Sequence, residues 1–212
     1  SNLVCLLNNG AQGERPTQAN NLGPFYRAGA PRYANGESIV RSPTPGAALY
    51  FSGRVQDGAG RPVAGAEVDV WQPSPVGLYE NQDPAQAEMN LRGRFTTDAA
   101  GEFAFRSVKP AGYPVPTEGP TGALLRVQRR HNFRPAHLHF LIHKPGFKTI
   151  ASQVYDPADP HLETDSQFGV TRALVGDFAK DGERYRLDFT FVLEPGESWL
   201  PKAPITAKVG VS

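Results

Sequence analysis

The chain is 212 residues long, with 22 basic and 21 acidic side chains and a formal net charge of +1. That length suits one sizeable domain able to bury a core without disulfides, and the near-balanced charge gives no reason to expect nucleic acid or an anionic membrane as a partner. The single cysteine, Cys5, excludes an internal disulfide and a thiolate metal cluster, and argues for a reducing, cytoplasmic compartment.

In chain order, Ser1-Asn2-Leu3-Val4-Cys5-Leu6-Leu7 is apolar but has neither the basic leader nor the cleavage site of a signal peptide. No apolar run reaches the ~20 residues of a membrane span. With no initiator Met, the chain reads as a fragment or processed form of something longer. Leu3 to Leu7 is expected to end a helix, with Asn8-Asn9-Gly10 as its stop. Residues 1–22 form a polar lead-in, and the Gly- and Pro-rich stretch 23–48 is expected to run extended over a surface. Strands follow at 49–55 and 66–71, with the turn Asp57-Gly58-Ala59-Gly60 between them; Ala66-Glu67-Val68-Asp69-Val70-Trp71 alternates as a half-buried strand does. Residues 79–94 are a long polar loop of the kind that carries function on a rigid scaffold. After the turn Asp98-Ala99-Ala100-Gly101 come strands at 102–108, 123–128, 137–143, 149–155 and 185–193, with a less regular one at 172–178. Seven or eight short strands and little helix, punctuated by 22 Gly and 20 Pro, give an all-β fold: a two-sheet β-sandwich with long active-site loops, over 23–200, followed by a tail at 201–212.

The sharpest local motif is Arg134-Pro135-Ala136-His137-Leu138-His139-Phe140. Residues i and i+2 of a strand share a face, so His137 and His139 present two imidazoles side by side while Leu138 and Phe140 point the other way. Such a pair makes a partial metal site; it also fits one core histidine with an incidental neighbour, or the similar spacing in cupins. Two tyrosines sit at loop mouths, Tyr79 after Val76-Gly77-Leu78 and Tyr113 in the proline-stiffened turn Pro110-Ala111-Gly112-Tyr113-Pro114-Val115-Pro116. A phenol with a pKa near ~10 ionises at neutral pH only beside a strong Lewis acid such as ferric iron. Taken singly, each tyrosine reads equally as a core or rim aromatic.

A set of fragments along roughly residues 20–195 resembles the intradiol ring-cleavage dioxygenases of the catechol, chlorocatechol, hydroxyquinol and protocatechuate type. They are Leu22-Gly23-Pro24-Phe25-Tyr26, Gly65 to Gln72, Gly77-Leu78-Tyr79, Phe95-Thr96-Thr97-Asp98, Ser107-Val108-Lys109-Pro110, Gly112-Tyr113-Pro114 and Gly119-Pro120-Thr121-Gly122. Arg130 to Phe140, Gln153-Val154-Tyr155 and Phe168-Gly169-Val170 complete the set. The Val-Trp-Gln and Ser-Val-Lys-Pro stretches look most like the hydroxyquinol and chlorocatechol branch.

The resemblance implies one non-haem Fe(III) per chain, held by Tyr79, Tyr113, His137 and His139. It implies cleavage of a small aromatic diol by dioxygen to a muconate-type diacid, with Tyr113 as the ligand that leaves as a base and Tyr79 as the one that stays. It places Arg134 as stabiliser of developing negative charge, Gln153 beside the ring, and Leu22 and Pro24 at the pocket mouth. Trp71 is expected to be core packing, His131 to support the loop before Arg134, and His143 and His161 to lie outside the ligand set. Family members of the catechol type usually carry an N-terminal helical region that forms a homodimer and often encloses a lipid. Only about twenty residues precede Gly-Pro-Phe-Tyr here, which puts dimer and lipid in doubt. Two other readings remain: a non-catalytic transthyretin-like binding module, and a cupin-like metalloenzyme built on the histidine pair.

Overall fold

Strict alternation builds the first sheet. In β1 (Ala48–Asp57), Leu49, Phe51 and Val55 are buried while Ala48, Tyr50, Ser52 and Arg54 face outward, the period-two signature of a strand with one face on a core. The computed structural model describes residues 16–205, so Cys5 and the expected helix end at 3–7 lie outside the described residues. Among the described residues the remaining strands are β2 (Glu67–Trp71), β3 (Arg92–Thr96), β4 (Glu102–Val108), β5 (Tyr113–Pro114), β6 (Phe133–Arg134), β7 (His137–His143), β8 (Ile150–Tyr155), β9 (Ala179–Asp181) and β10 (Arg184–Leu193), with one α-helix, α1 (Pro120–Val127). They form one sheet of order β4-β1-β10-β9, a second of order β3-β2-β7-β8, and a two-stranded ribbon β5-β6. β1 and β10 run parallel, and the second sheet is antiparallel throughout. The helix-poor β-sandwich expected from the sequence is the fold observed.

Between the two sheets lies an aromatic core. Phe51 stacks on Phe105 at 4.8 Å and meets Phe140 at 5.0 Å, and Phe140 meets Phe191 at 4.9 Å; Val68, Val70, Leu138, Ile142 and Leu187 fill in around them. The outer face of the second sheet is buried too. β7 is buried on both sides up to Ile142, because Tyr26, Trp71, Tyr79, Tyr113, Val115, Leu125 and Leu141 make a second cluster there. The stretch expected to run extended over a surface does more than that. Pro31 and Tyr33 pair with Arg94 on β3, and Ile39 pairs with Arg106 on β4, while Asn20 in the lead-in donates its N–H to Ala151 on β8. Together the two segments cover three sheet edges that would otherwise expose unpaired backbone groups.

Three expectations need correction. Residues 123–127 are the end of α1, with Gln128 as its cap, and not a strand: Pro120 takes one of the first two helical positions, where a missing N–H is harmless, and Ala123, Leu124, Leu125 and Arg126 are strong helix formers. The stretch 172–178 makes a short 3-10 turn at Arg172–Leu174 and a single bridge from Val175 to Tyr155. The loop expected at 79–94 stops at Leu91, since Arg92-Gly93-Arg94 already pairs with Trp71-Val70-Asp69 as β3.

Candidate metal centre

The second sheet's register gathers the polar side chains. His139 lies opposite Trp71 on β2 and opposite Gln153 on β8, and His137 lies opposite Tyr155. Because alternate residues share a face, two neighbouring strands each contribute an i, i+2 pair to one patch on the outer face. Trp71 stacks on the His139 ring at 4.7 Å with 9° between planes, which fixes that imidazole's orientation. Gly23, at φ +79, passes so close over it that a Cβ would sit 3.1 Å from His139 Cε1. Only glycine adopts that backbone conformation freely and leaves the space.

The two Nε2 atoms are 3.0 Å apart. His137 Nδ1 lies 2.7 Å from the Pro135 carbonyl and donates to it, which leaves the Nε2 lone pair turned inward. Burial holds both imidazoles well below their ordinary pKa; Arg134 adds to this at His137, and His137, Arg134 and Arg92 add to it at His139. Both are therefore neutral, the form that ligates a metal.

Loops bring the phenols. Gly77, at φ +80, abuts the next turn so tightly that a Cβ would lie 3.0 Å from the Gly112 carbonyl and 3.2 Å from Tyr113 Cβ. Tyr113 opens β5, whose ladder partner is Arg134 on β6, and β6 runs through Pro135 into the histidine strand. The Tyr79 and Tyr113 hydroxyls meet at 3.3 Å with the rings edge-on. Tyr113 sits beside His137 at 5.5 Å between ring centres, and Tyr79 beside His139 at 6.3 Å.

Behind Tyr79, Phe25 stacks on its ring at 4.4 Å. The next residue, Glu80, has a fully buried side chain that bridges Arg27 and Arg92. Burial, with Tyr113 adding, pushes the Tyr79 hydroxyl well above the ordinary phenol value, so it ionises only when a cation is supplied.

The donor set is two neutral imidazoles and two buried phenols. Among the described residues no group of three or more His, Cys, Asp or Glu side chains gathers to hold a metal, so a cupin-like set around the histidine pair is not formed there. Metal–ligand bonds of ~2.1 Å at right angles separate neighbouring donors by about 3.0 Å, and the observed pair separations of 3.0 and 3.3 Å match that spacing. Tyr79, Tyr113, His137 and His139 could hold one hard, highly charged ion such as Fe(III), which is what two phenolates require.

Arg134 is 1% exposed. Its Nη2 donates to Gln153 Oε1 and Tyr155 Oη, each at 2.8 Å, and Nη1 lies 3.4 Å from His137 Nε2. Burial works against its charge, but Tyr155, Tyr113 and Asp165 outweigh that and hold it protonated. Gln153 is likewise fully enclosed: its amide donates to the Asn21 carbonyl and lies 3.2 Å from His139 Nδ1.

A cleft of about 250 Å³ opens beside Tyr113, lined by Pro24, Phe25, Val115, Pro116, Glu118, Thr121 and Gln167. Pro24 is on that wall. Leu22 packs against the second apolar cluster instead, and Arg134 and Gln153 are not among the lining residues but contact the histidines. His131 accepts from Phe133 N–H and contacts Thr164, supporting the loop before Arg134; His143 contacts Thr149, and His161 stacks on Phe133. Tyr155 and the Arg27–Glu80–Arg92 group were not singled out from sequence as site residues. Tyr155 follows Gln153 at i+2, the same signal that marked the histidines; the ion group leaves no local pattern.

A family model described as Dioxygenase matches residues 22–195. Hydroxyquinol 1,2-dioxygenase of Rhizobium sp. (strain MTP-10005) is 43% identical over 160 residues, covering 75% of this chain and 54% of that protein. The 6-chlorohydroxyquinol 1,2-dioxygenase of Cupriavidus pinatubonensis is 41% identical over 180 residues, covering 84% and 65%. Both relatives are therefore matched over less than two thirds of their own length. The crystal structure of hydroxyquinol 1,2-dioxygenase from Pseudomonas putida DLL-E4 superposes with a TM-score of 0.83 at 36% identity, covering 92% of this chain and 71% of that one. On the family match and these identities, the chain belongs to the intradiol ring-cleavage dioxygenases.

Proposed function

We propose that this chain cleaves a catechol-type aromatic diol with dioxygen between its two hydroxyl-bearing carbons, giving a muconate-type diacid, and that one non-haem Fe(III) is held by Tyr79, Tyr113, His137 and His139. The observation that carries the reading is the convergence of two phenolic oxygens and two inward imidazole nitrogens from three separate stretches, at 3.3 and 3.0 Å within each pair. When bound, ferric iron supplies a Lewis acid that draws electron density from a chelated diol ring.

The chain's own groups do the rest. Tyr113 lines the cleft and is the phenol placed to take a proton from an entering diol. Arg134, held charged next to the imidazoles, faces the negative charge that develops on the substrate, the preorganised electrostatics that lower such barriers. Gln153 fixes Arg134 and abuts His139. A cleft of about 250 Å³ suits one substituted ring. Both named relatives act on hydroxyquinol-type diols, which favours hydroxyquinol or catechol here. Among the described residues no helix is long and apolar enough to cross a membrane. A cytoplasmic setting and a homodimer belong to the same proposal, the latter open to light scattering.

The test is direct. The protein loaded with ferric iron should show a broad visible tyrosinate charge-transfer band and turn over at least one of catechol, a chlorocatechol, hydroxyquinol and protocatechuate to a ring-opened product. A colourless, iron-replete protein inert toward all four refutes the reading.

A further inference from the structure

We propose that Asp165 is a positioning residue for Arg134: its carboxylate fixes the guanidinium edge turned away from the imidazoles, and the same two oxygens lock the loop that forms one wall of the cleft. This rests on the functional reading above. Asp165 is buried, and Oδ1 lies 3.3 Å from Arg134 Nε while Oδ2 lies 3.3 Å from Nη2. With Gln153 and Tyr155 also accepting from Nη2, that edge of the fork is saturated. Nη1 is left with only the His137 Nε2 at 3.4 Å among the described hydrogen bonds. The nitrogen without an oxygen partner is thus the one presented to the site, and a planar fork held along one edge cannot turn it away.

The carboxylate also organises its own loop. Oδ2 accepts from Gly169 N–H at 2.7 Å and Oδ1 from Gln167 N–H at 3.3 Å, and Gln167 lines the cleft. A Cβ at Gly169 would lie 2.8 Å from Arg134 Nη2, so this backbone closes directly onto the arginine. From outside, Arg130 donates to the Asp165 carbonyl at 2.8 Å and covers the Phe168 ring at 3.6 Å. Phe168, at φ +54, is held in a backbone conformation that a bulky residue adopts only under constraint. Arginine, carboxylate and cleft wall form one unit, so loosening any member should loosen the others.

Two measurements test this. In a cycle on kcat/KM, Asp165→Asn is expected to lose about 10- to 100-fold, mostly in kcat, through the loss of charge-assisted hydrogen bonds. Adding it to Arg134→Gln should cost less than about threefold more, because the residues act as one. Fully multiplicative losses overturn the proposal. In the metal-free chain, amide exchange at Gly169 and Gln167 should accelerate about tenfold in both single variants; a rate at Gly169 indifferent to Arg134→Gln overturns the coupling whatever the activity. Should Asp165→Asn not fold, Arg134→Lys, which keeps the charge but not the fork, makes the same exchange test. Exchange needs neither iron nor turnover. A wild-type chain that cleaves no diol would sink the functional reading and leave this result standing, while turnover with multiplicative losses would sink only Asp165.

Discussion

Glu80→Gln isolates the buried charge beneath Tyr79. The Glu80 side chain is 0% exposed and carries Arg92, 1% exposed, and Arg27, 3% exposed. Glutamine keeps the shape and one acceptor but removes the charge, leaving two enclosed guanidiniums short of compensation. Arg27 retains Glu88, whose side chain is 56% exposed and solvent-screened; Arg92 retains the Phe25 carbonyl at 2.6 Å and Asn81 Oδ1 at 3.2 Å. Breaking a buried pair outright costs about 3–5 kcal/mol. With those partners surviving, about 2–4 kcal/mol is expected. At about 2–4 °C per kcal/mol for a domain of this size, Tm should fall by roughly 5–15 °C in a calorimetric scan of the metal-free protein. The same change loosens the hold of Arg92 and Arg27 on Glu80, the residue next to Tyr79, so ferric iron should bind more weakly as well. A Tm within about 2 °C of wild type would refute the claim that Glu80 stabilises this layer by its charge.

Acidification should destabilise the metal-free chain. His137 and His139 are held neutral, with folded pKa values below the unfolded value of ~6.5, so the unfolded state binds more protons and their contribution, present above ~6.5, is lost as pH falls below it. Each histidine adds a slope of about 1.4 kcal/mol per pH unit, and His137→Gln should flatten the Tm–pH curve measured between pH 7 and 5. Gly23→Ala places a methyl 3.1 Å from His139 Cε1 on a backbone at φ +79; about 1–2 kcal/mol of stability and a clear fall in iron stoichiometry are expected by calorimetry and metal analysis. Phe140→Ala empties a core position ringed by Phe51, Phe103 and Phe191 and should cost about 3–5 kcal/mol in denaturant unfolding, although the neighbouring residue on the strand is His139.

Much of the sandwich was legible because most of its strands follow one rule. β1, β2, β4, β7, β8 and β10 all alternate or sit between clear turns, and the histidine pair is itself a case of that alternation. The rule fails where structure is imposed from outside. Arg92-Gly93-Arg94 has no apolar rhythm and becomes a strand only because β2 offers it a ladder. Residues 123–127, Ala-Leu-Leu-Arg-Val, are too short for periodicity to separate helix from strand, and Pro120 decides it. Tyr79 and Tyr113, each ambiguous alone, became a pair only through the family resemblance; no spacing rule joins loops that meet through the contact of Gly77 with Gly112. Asp165 to Phe168 could be read from the sequence as a wall of the pocket, but the pairing of Asp165 with Arg134, and Glu80 altogether, were opaque, since a buried acid is known only by the arginine it meets.

The two phenols are not equivalent, and the asymmetry follows from what each packs against. Tyr79 is 1% exposed, with Phe25 stacked on its ring and the Arg92 guanidinium 5.9 Å from its centre; turning it would break up an aromatic stack and disturb a buried ion group. Tyr113 lines the cleft and stands at the head of a two-residue ribbon. Its ring meets Tyr79 edge-on and Phe25 edge-on, without a stacked partner. Tyr113 is itself 4% exposed within the second apolar cluster, so swinging toward the cleft gives up contacts there but no stacked ring, and in the proposed reaction carries the hydroxyl to where a diol would enter. A site that must exchange one anionic oxygen for another needs one anchored donor and one that can yield. In the proposed centre Tyr79, tied into the buried layer, serves as the anchor, and Tyr113, at the head of the two-residue ribbon strand β5, as the donor that yields.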